Sequence, residues 1–242
     1  MHAAIVTGVS RGLGEALAVA LLARGFAVLG VGRTASVKLK GKHYHHATCD
    51  LAHPALIAAS VTPGLRALAA QKPESVTLVN NAAVVTPTGL VGHLDAAEVD
   101  GAFATNVGAP VVMADLFFRT FPDDAIERRI INISSGAAQS AIAGSAVYSM
   151  SKAALEMLTR SIAAEHTAPR LRCISLRPGI FETGMQAYMR GLDPAKVPSV
   201  GMFRGFKENG LLKDPAQVAA RIVDRLIEAP VENGRTYSHT DL

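Results

Sequence analysis

An α/β fold, with a single doubly wound parallel sheet of about seven strands and helices on both faces, is what this 242-residue sequence predicts. Three observations carry that expectation. Short apolar runs alternate with longer helical stretches from one end of the chain to the other. The runs are apolar throughout, as strands covered on both faces must be. The first of them ends in a glycine-rich turn that opens an amphipathic helix. Right-handed crossovers between such strands generate an open sheet wound in both directions. One domain over residues 1–242 is expected, because the length can bury one large core and no repeat or low-complexity linker divides it.

The elements follow in order. Ala3 to Val6 is short, apolar and stopped by Thr7-Gly8, which reads as a buried strand. Leu13, Ala16, Leu17, Ala20 and Leu21 then recur at helical spacing until Gly25 ends the helix. Strands are expected at Ala27 to Val31 and His43 to Thr48, then a helix at about Pro54 to Ala70 and a strand at Val76 to Val79. A long helix from about Asp95 to Phe118 precedes a strand at Ile130 to Ile133. A helix from about Ser151 to His166, a strand at Leu171 to Leu176, a helix from about Pro215 to Glu228 and a strand at Arg235 to Ser238 complete the pattern.

Composition excludes several classes. Apolar residues make up 49% and charged residues 18%, which rules out a disordered chain. The 21 glycines have no period, so the chain is not collagen-like. Mean hydropathy is +0.25. No uncharged apolar run approaches the ~18 to 20 residues of a spanning helix, and no basic segment with a long apolar stretch opens the chain. Cys49 and Cys173 are too few for a disulfide framework. A soluble, cytoplasmic protein without a membrane partner is expected. The 24 basic and 20 acidic residues leave a net charge of +4. The excess is thinly spread, densest at Arg11, Arg24, Arg33, Lys38, Lys40 and Lys42. Nucleic-acid binders cluster basic residues and add aromatics, so a small anionic ligand is the better expectation and no nucleic-acid partner is expected.

Chemistry gathers where open sheets bind ligands, beyond the C-terminal ends of the strands. In the turn Thr7-Gly8-Val9-Ser10-Arg11-Gly12-Leu13-Gly14, Gly8 permits the bend, Gly12 lets a pyrophosphate approach the backbone, and Gly14 allows close helix–strand packing. The helix that follows offers free N–H groups and a positive dipole end to phosphate. Versions of this architecture that bind NAD hold the ribose 2′-hydroxyl with an acid near the end of the second strand. Here Arg33 stands at that place, followed by Thr34, and Arg11 lies inside the glycine turn. Guanidinium groups suit a 2′-phosphate and a carboxylate repels it, so NADP(H) is the expected cofactor.

The fourth strand ends in Asn80-Asn81-Ala82-Ala83 and the fifth in Asn132-Ile133-Ser134-Ser135-Gly136. Tyr148 and Lys152 follow, one helical turn apart and so on one face. A free tyrosine titrates near ~10, and a neighbouring cation is expected to bring that down into a useful range.

These motifs together resemble the short-chain dehydrogenase/reductase family, with a Rossmann-type fold, and the similarity runs from Thr7-Gly8 to the last helix. The resemblance implies a catalytic set of Asn106, Ser135, Tyr148 and Lys152. Asn106 would hold a proton-relay water and Ser135 the carbonyl oxygen. Tyr148 would donate the proton, and Lys152 would tune it while binding the nicotinamide ribose. It further implies that Gly8, Ser10, Arg11, Gly12, Leu13, Gly14, Arg33 and Thr34 belong to the cofactor site, with Asp50 and Leu51 at the adenine. Asn80, Ala82, Pro178, Gly179, Ile180 and Thr183 would line the rest, beside Tyr148 and Lys152. Ala83 replaces the usual family glycine, and a Gly-Gly-rich C-terminal stretch is missing. The segments Ile131 to Ala137, Thr183 to Gln186, Gly210 to Leu212 and Glu232 to Arg235 are similar to the sepiapterin reductase and benzil reductase branch, whose members reduce dicarbonyls with NADPH.

The expected activity is therefore NADPH-dependent reduction of a ketone or dicarbonyl. A 3-oxoacyl-thioester reductase of the same family, or a redox sensor that binds NADP(H) without catalysis, are the alternatives. No Gly-x-Ser-x-Gly elbow supports a serine hydrolase. No metal is expected: His43, His45 and His46 lack an acid or thiol at useful spacing and read as a solvated edge. Cys49 and Cys173 read as small buried hydrophobes. The Gly- and Pro-rich stretch 184–212, with Met185, Met189, Met202, Phe203 and Phe206, reads as a long apolar substrate lid. A homodimer or homotetramer is expected, packed through helices around Val107 to Phe118 and Ala153 to Ala163.

Overall fold

The computed structural model describes residues 1–122 and 124–242. Its sheet has seven strands: β1 (His2–Thr7), β2 (Ala27–Gly32), β3 (Tyr44–Thr48), β4 (Ser75–Asn80), β5 (Glu127–Ile133), β6 (Leu171–Arg177) and β7 (Thr236–Ser238). Their order is β3-β2-β1-β4-β5-β6-β7, and every pairing is parallel. The winding reverses between β1 and β4, where the chain leaves β1 towards one edge and later returns beside it. That reversal opens a crevice above the strand ends.

Alternation along the strands feeds two cores. Ala3, Ile5, Ile130 and Cys173 face one layer, with α2 (Pro54–Ala69), α4 (Ala109–Thr120) and α5 (Ala146–Glu165) packed over them. Ala4, Val6, Ile131 and Ile174 face the other, covered by α1 (Gly12–Ala23) and α8 (Pro215–Ile222). This two-sided burial is why the strands read as continuous apolar runs rather than alternating ones.

Several boundaries differ from the sequence reading. β5 begins three residues early, at Glu127, because its arginines satisfy themselves in place: buried Arg128 donates to the Phe121 carbonyl at 3.1 Å and Arg129 to that of Ala229 at 3.2 Å. α5 begins at Ala146 rather than Ser151, so Tyr148 lies in its first turn. The long helix is interrupted: α3 (Ala96–Phe103), capped by Asp95, widens to π geometry over Ala104–Gly108 before α4 resumes. Ala96–Thr120 is, by length and composition, long and apolar enough to cross a membrane. Here it lays Asn106, Met113 and Phe117 into the protein interior.

The stretch 184–212 is not a continuous loop. It holds α6 (Gly184–Arg190) and α7 (Val200–Glu208), which enclose a small core of Met189, Val197 and Val200. Thr183 starts α6 by accepting a hydrogen bond from the Gln186 amide. On the β3 edge His43 and His45 are exposed, whereas His46 is half-buried, 3.1 Å from the Gly32 carbonyl and 3.2 Å from the Tyr44 hydroxyl. Both cysteines are buried and free, and burial pushes the Cys173 thiol up to about 12.

Candidate active site

A cleft of about 1680 Å³ runs across the strand ends from the glycine turn to Tyr148. At its start Gly8 and Gly12 adopt φ of +75° and +63°, the left-handed region open to glycine. The Gly8 amide donates to the Val31 carbonyl at 2.8 Å, which ties the turn to β2. Asn81 ties it to β4: its Nδ2 donates to the Thr7 carbonyl at 2.9 Å, while the Thr7 hydroxyl accepts from the Asn81 and Ala82 amides, each at 3.0 Å. The sequence reading singled out Asn80 and Ala82 and passed over Asn81. Only the folded turn shows that Asn81 braces it.

Around the β2 end of the cleft stand Arg11, Arg33, Thr34, Asp50 and Leu51, the first four of them exposed. Lys38, which the sequence reading did not assign, joins them. Its Nζ donates to Glu15 Oε2 at 2.8 Å, and the buried Ser36 hydroxyl donates to Glu15 Oε1. The Glu15 carboxylate, on the first turn of α1, thereby straps the β2–β3 loop in place with its charge answered. Its carboxyl sits below the ordinary value: burial raises it, but the bonds from Lys38 and Ser36 outweigh that.

At the other end β5 delivers Ser135 and α5 delivers Tyr148 and Lys152. Ser135 Oγ accepts from the Ala137 amide at 3.2 Å, which caps the short turn Gly136–Ala138. Lys152 is 2% exposed, donates to the Ile133 carbonyl at 2.7 Å and lies 5.6 Å from the centre of the Tyr148 ring. Burial brings the Lys152 ammonium down to about 8. Burial raises the Tyr148 phenol, with the Ser135 hydroxyl pulling the other way. The expected lowering of Tyr148 is therefore not what this arrangement produces. The ammonium is spent on a backbone carbonyl and stands over the ring, so desolvation dominates.

Because the ammonium is costly to bury, the folded protein releases that proton before the unfolded chain does. Between pH about 8 and ~10.4 the unfolded state binds more protons at this group, so the contribution of Lys152 to stability rises with pH in that window. The raised Cys173 thiol works the opposite way in both proteins, so thermal melts across the window are expected to show a more positive slope with pH in the wild type than in Lys152→Met. Equal slopes in the two proteins would remove the assignment.

Asn106 sits in the widened turn, fully buried, with both its amide oxygen and its amide nitrogen hydrogen-bonded. Oδ1 accepts from the Val84 amide at 2.8 Å; Nδ2 donates to the Val84 carbonyl at 2.8 Å and to Ser151 Oγ at 3.1 Å, and Ser151 donates to the Tyr148 carbonyl at 2.8 Å. It clamps the strand-β4 exit to the Tyr148 turn.

The other expected site residues divide cleanly. Gly8, Ser10, Gly12, Leu13, Ala82, Pro178, Gly179, Ile180 and Thr183 line the cleft. Gly14, Asn80 and Asn106 stand behind it: a Cβ on Gly14 would lie 2.2 Å from the Gly8 carbonyl oxygen, and Asn80 Nδ2 donates inward to Asn132 Oδ1 at 2.9 Å. Met185, Met202, Phe203 and Phe206 supply an apolar wall from α6 and α7. Glu182 links those two helices, accepting from Arg190 at 2.7 Å and Lys207 at 2.6 Å.

The family described as short chain dehydrogenase matches residues 2–191. The benzil reductase ((S)-benzoin forming) of Bacillus subtilis (strain 168) is 32% identical over 239 residues, 98% of each chain. The sepiapterin reductase of Meriones unguiculatus is 30% identical, over 98% of this chain and 94% of its own. In fold, the crystal structure of the KRED1-Pglu enzyme superposes with a TM-score of 0.83 at 27% identity, covering 98% of this chain and 100% of that one.

Proposed function

The chain belongs to the short chain dehydrogenase family, and from that premise we propose that it reduces an apolar ketone or dicarbonyl with NADPH, Tyr148 giving the proton. An oxidoreductase of carbonyl and CH–OH groups, with a nicotinamide cofactor and a small-molecule substrate, is what membership itself establishes. The observation that carries the finer reading is the convergence of Ser135, Tyr148 and Lys152 at one end of a cleft whose other end carries Arg11, Arg33 and Lys38. The donor set fits the cofactor: glycines that leave room for a pyrophosphate, a helix N-terminus facing it, and cations where a 2′-phosphate would lie.

When bound, the nicotinamide supplies the hydride. The chain supplies the rest. Ser135 orients the carbonyl oxygen and Tyr148, kept protonated by its burial, hands over its proton. Lys152 draws that proton supply towards the phenol and holds the ribose. Met202, Phe203 and Phe206 favour aromatic or otherwise apolar arms on the substrate, and residues 184–212 would act as its lid. Val111 on α4 and Met150 and Met157 on α5 are 45%, 58% and 55% exposed, a face suited to a homodimer or homotetramer.

The test is NADPH and NADH oxidation with benzil, sepiapterin and an acetoacetyl thioester. Diketone turnover with NADPH is expected. Arg33→Met is expected to weaken NADPH binding roughly tenfold or more and leave NADH unchanged. Equal affinity of the wild type for the two nucleotides would overturn the NADP(H) assignment.

A further inference from the structure

Glu156 lies one helical turn beyond Lys152 on α5 and is 8% exposed. Its carboxylate takes three hydrogen bonds. The Ser134 hydroxyl donates to Oε1 at 2.7 Å, Arg177 Nε donates to the same oxygen at 2.8 Å, and Arg177 Nη2 donates to Oε2 at 2.6 Å. Each donor adjoins a piece of the site. Ser134 precedes Ser135 at the end of β5, and Arg177 precedes Pro178 at the end of β6. Burial raises the Glu156 carboxyl, and Arg177 and Ser134 together hold it below its ordinary value, so the group is a carboxylate at neutral pH.

Stability does not require such a group there. Replacing a buried ion pair by well-packed apolar residues is often neutral or stabilising, and α5 already packs on the sheet through Leu155 and Ile162. Apolar contacts lack direction, however. A three-donor carboxylate sets distance and orientation between one helix and two strand ends, and a displacement of ~1 Å in reacting groups can cost ~10²-fold in rate. We propose that Glu156 is a positioning residue: it clamps the strand end carrying Ser135 and the segment Pro178 to Thr183 onto the helix carrying Tyr148 and Lys152, so that the reacting groups stay in register. This rests on the carbonyl-reductase reading above.

The test compares Glu156→Gln, Ser134→Ala and the double variant Glu156→Met with Arg177→Met against the wild type, reading kcat, KM for the ketone, NADPH dissociation constant and melting temperature. Glu156→Gln is expected to lower both melting temperature and kcat, since it leaves the half-buried Arg177 without its charge partner. The double variant is expected to regain the wild-type melting temperature while kcat stays roughly 30-fold down and NADPH affinity moves less than about threefold. Ser134→Ala keeps the ion pair and is expected to lower kcat by about fivefold, with a smaller fall in melting temperature than Glu156→Gln. A double variant that recovers kcat along with its melting temperature would make the pair structural only. Should that variant not fold, wild-type kcat in Ser134→Ala overturns the proposal by itself. In both cases the reductase reading stands. A wild-type chain that reduces no carbonyl with either nucleotide removes that reading, and the proposal with it.

Discussion

Tyr148→Phe is expected to lower kcat for carbonyl reduction by about 10³-fold while NADPH binds within about twofold of the wild type. The change removes one oxygen and keeps the ring that Lys152 overlooks at 5.6 Å, so the cleft keeps its shape. General acids contribute ~10²- to 10⁴-fold, and the upper part of that range applies here for a specific reason. The phenol is buried and raised, so it is protonated at neutral pH, and the Ser135 hydroxyl beside it is the partner that favours its ionised form as the proton leaves. Steady-state kinetics with a diketone, together with a fluorescence titration of NADPH, separate the two effects. Retained turnover would move the proton donor elsewhere, and lost nucleotide binding would make Tyr148 a structural residue of the cofactor site.

The second large effect is steric. A Cβ on Gly14 would stand 2.2 Å from the Gly8 carbonyl oxygen and 2.5 Å from Asn81 Nδ2. Gly8 is backbone in a left-handed turn, and Asn81 is already bonded to Thr7, so neither can yield cheaply. Gly14→Ala is expected to cost roughly 3 kcal/mol, the severe end of overpacking, with a fall in melting temperature of about 6 to 12 °C. Nucleotide binding should fall with it, because the displaced turn is the one proposed to receive the pyrophosphate. Gly101→Ala is the control. A Cβ there meets nothing within 4 Å, and the residue lies inside helix α3, so melting is expected to hold or rise. Calorimetry on the two variants decides it. A Gly14→Ala protein that melts with the wild type would mean the helix and the turn can part without penalty.

Much of this was legible before any coordinates. Strand runs, the glycine turn, Ser135 and the Tyr148–Lys152 spacing are local features, and local features survive in sequence because the backbone geometry they require is local. Arg33 was legible for the same reason, as a cation at the strand-end position where an acid was missing, and Arg11 as a cation inside the glycine turn. Asn81, Lys38, Glu15 and Glu156 were not. Their roles depend on partners far along the chain: Asn81 reaches Thr7, Lys38 reaches Glu15, and Glu156 reaches Ser134 and Arg177. No spacing rule announces such pairs.

The sequence by itself determined the family, the parallel α/β sheet and the residues that could do chemistry, since these follow from periodicity and from motifs whose chemistry is intrinsic to the residue types. Tertiary structure alone decided how those residues are poised. It drew the Lys152 ammonium down to about 8 and raised the Tyr148 phenol, because burial acts on charge and burial is a property of the packed site. It also widened the helix at Asn106 and turned 184–212 from an expected loop into two helices with a core of their own. Each depends on what a segment packs against, which the order of residues in that segment does not contain.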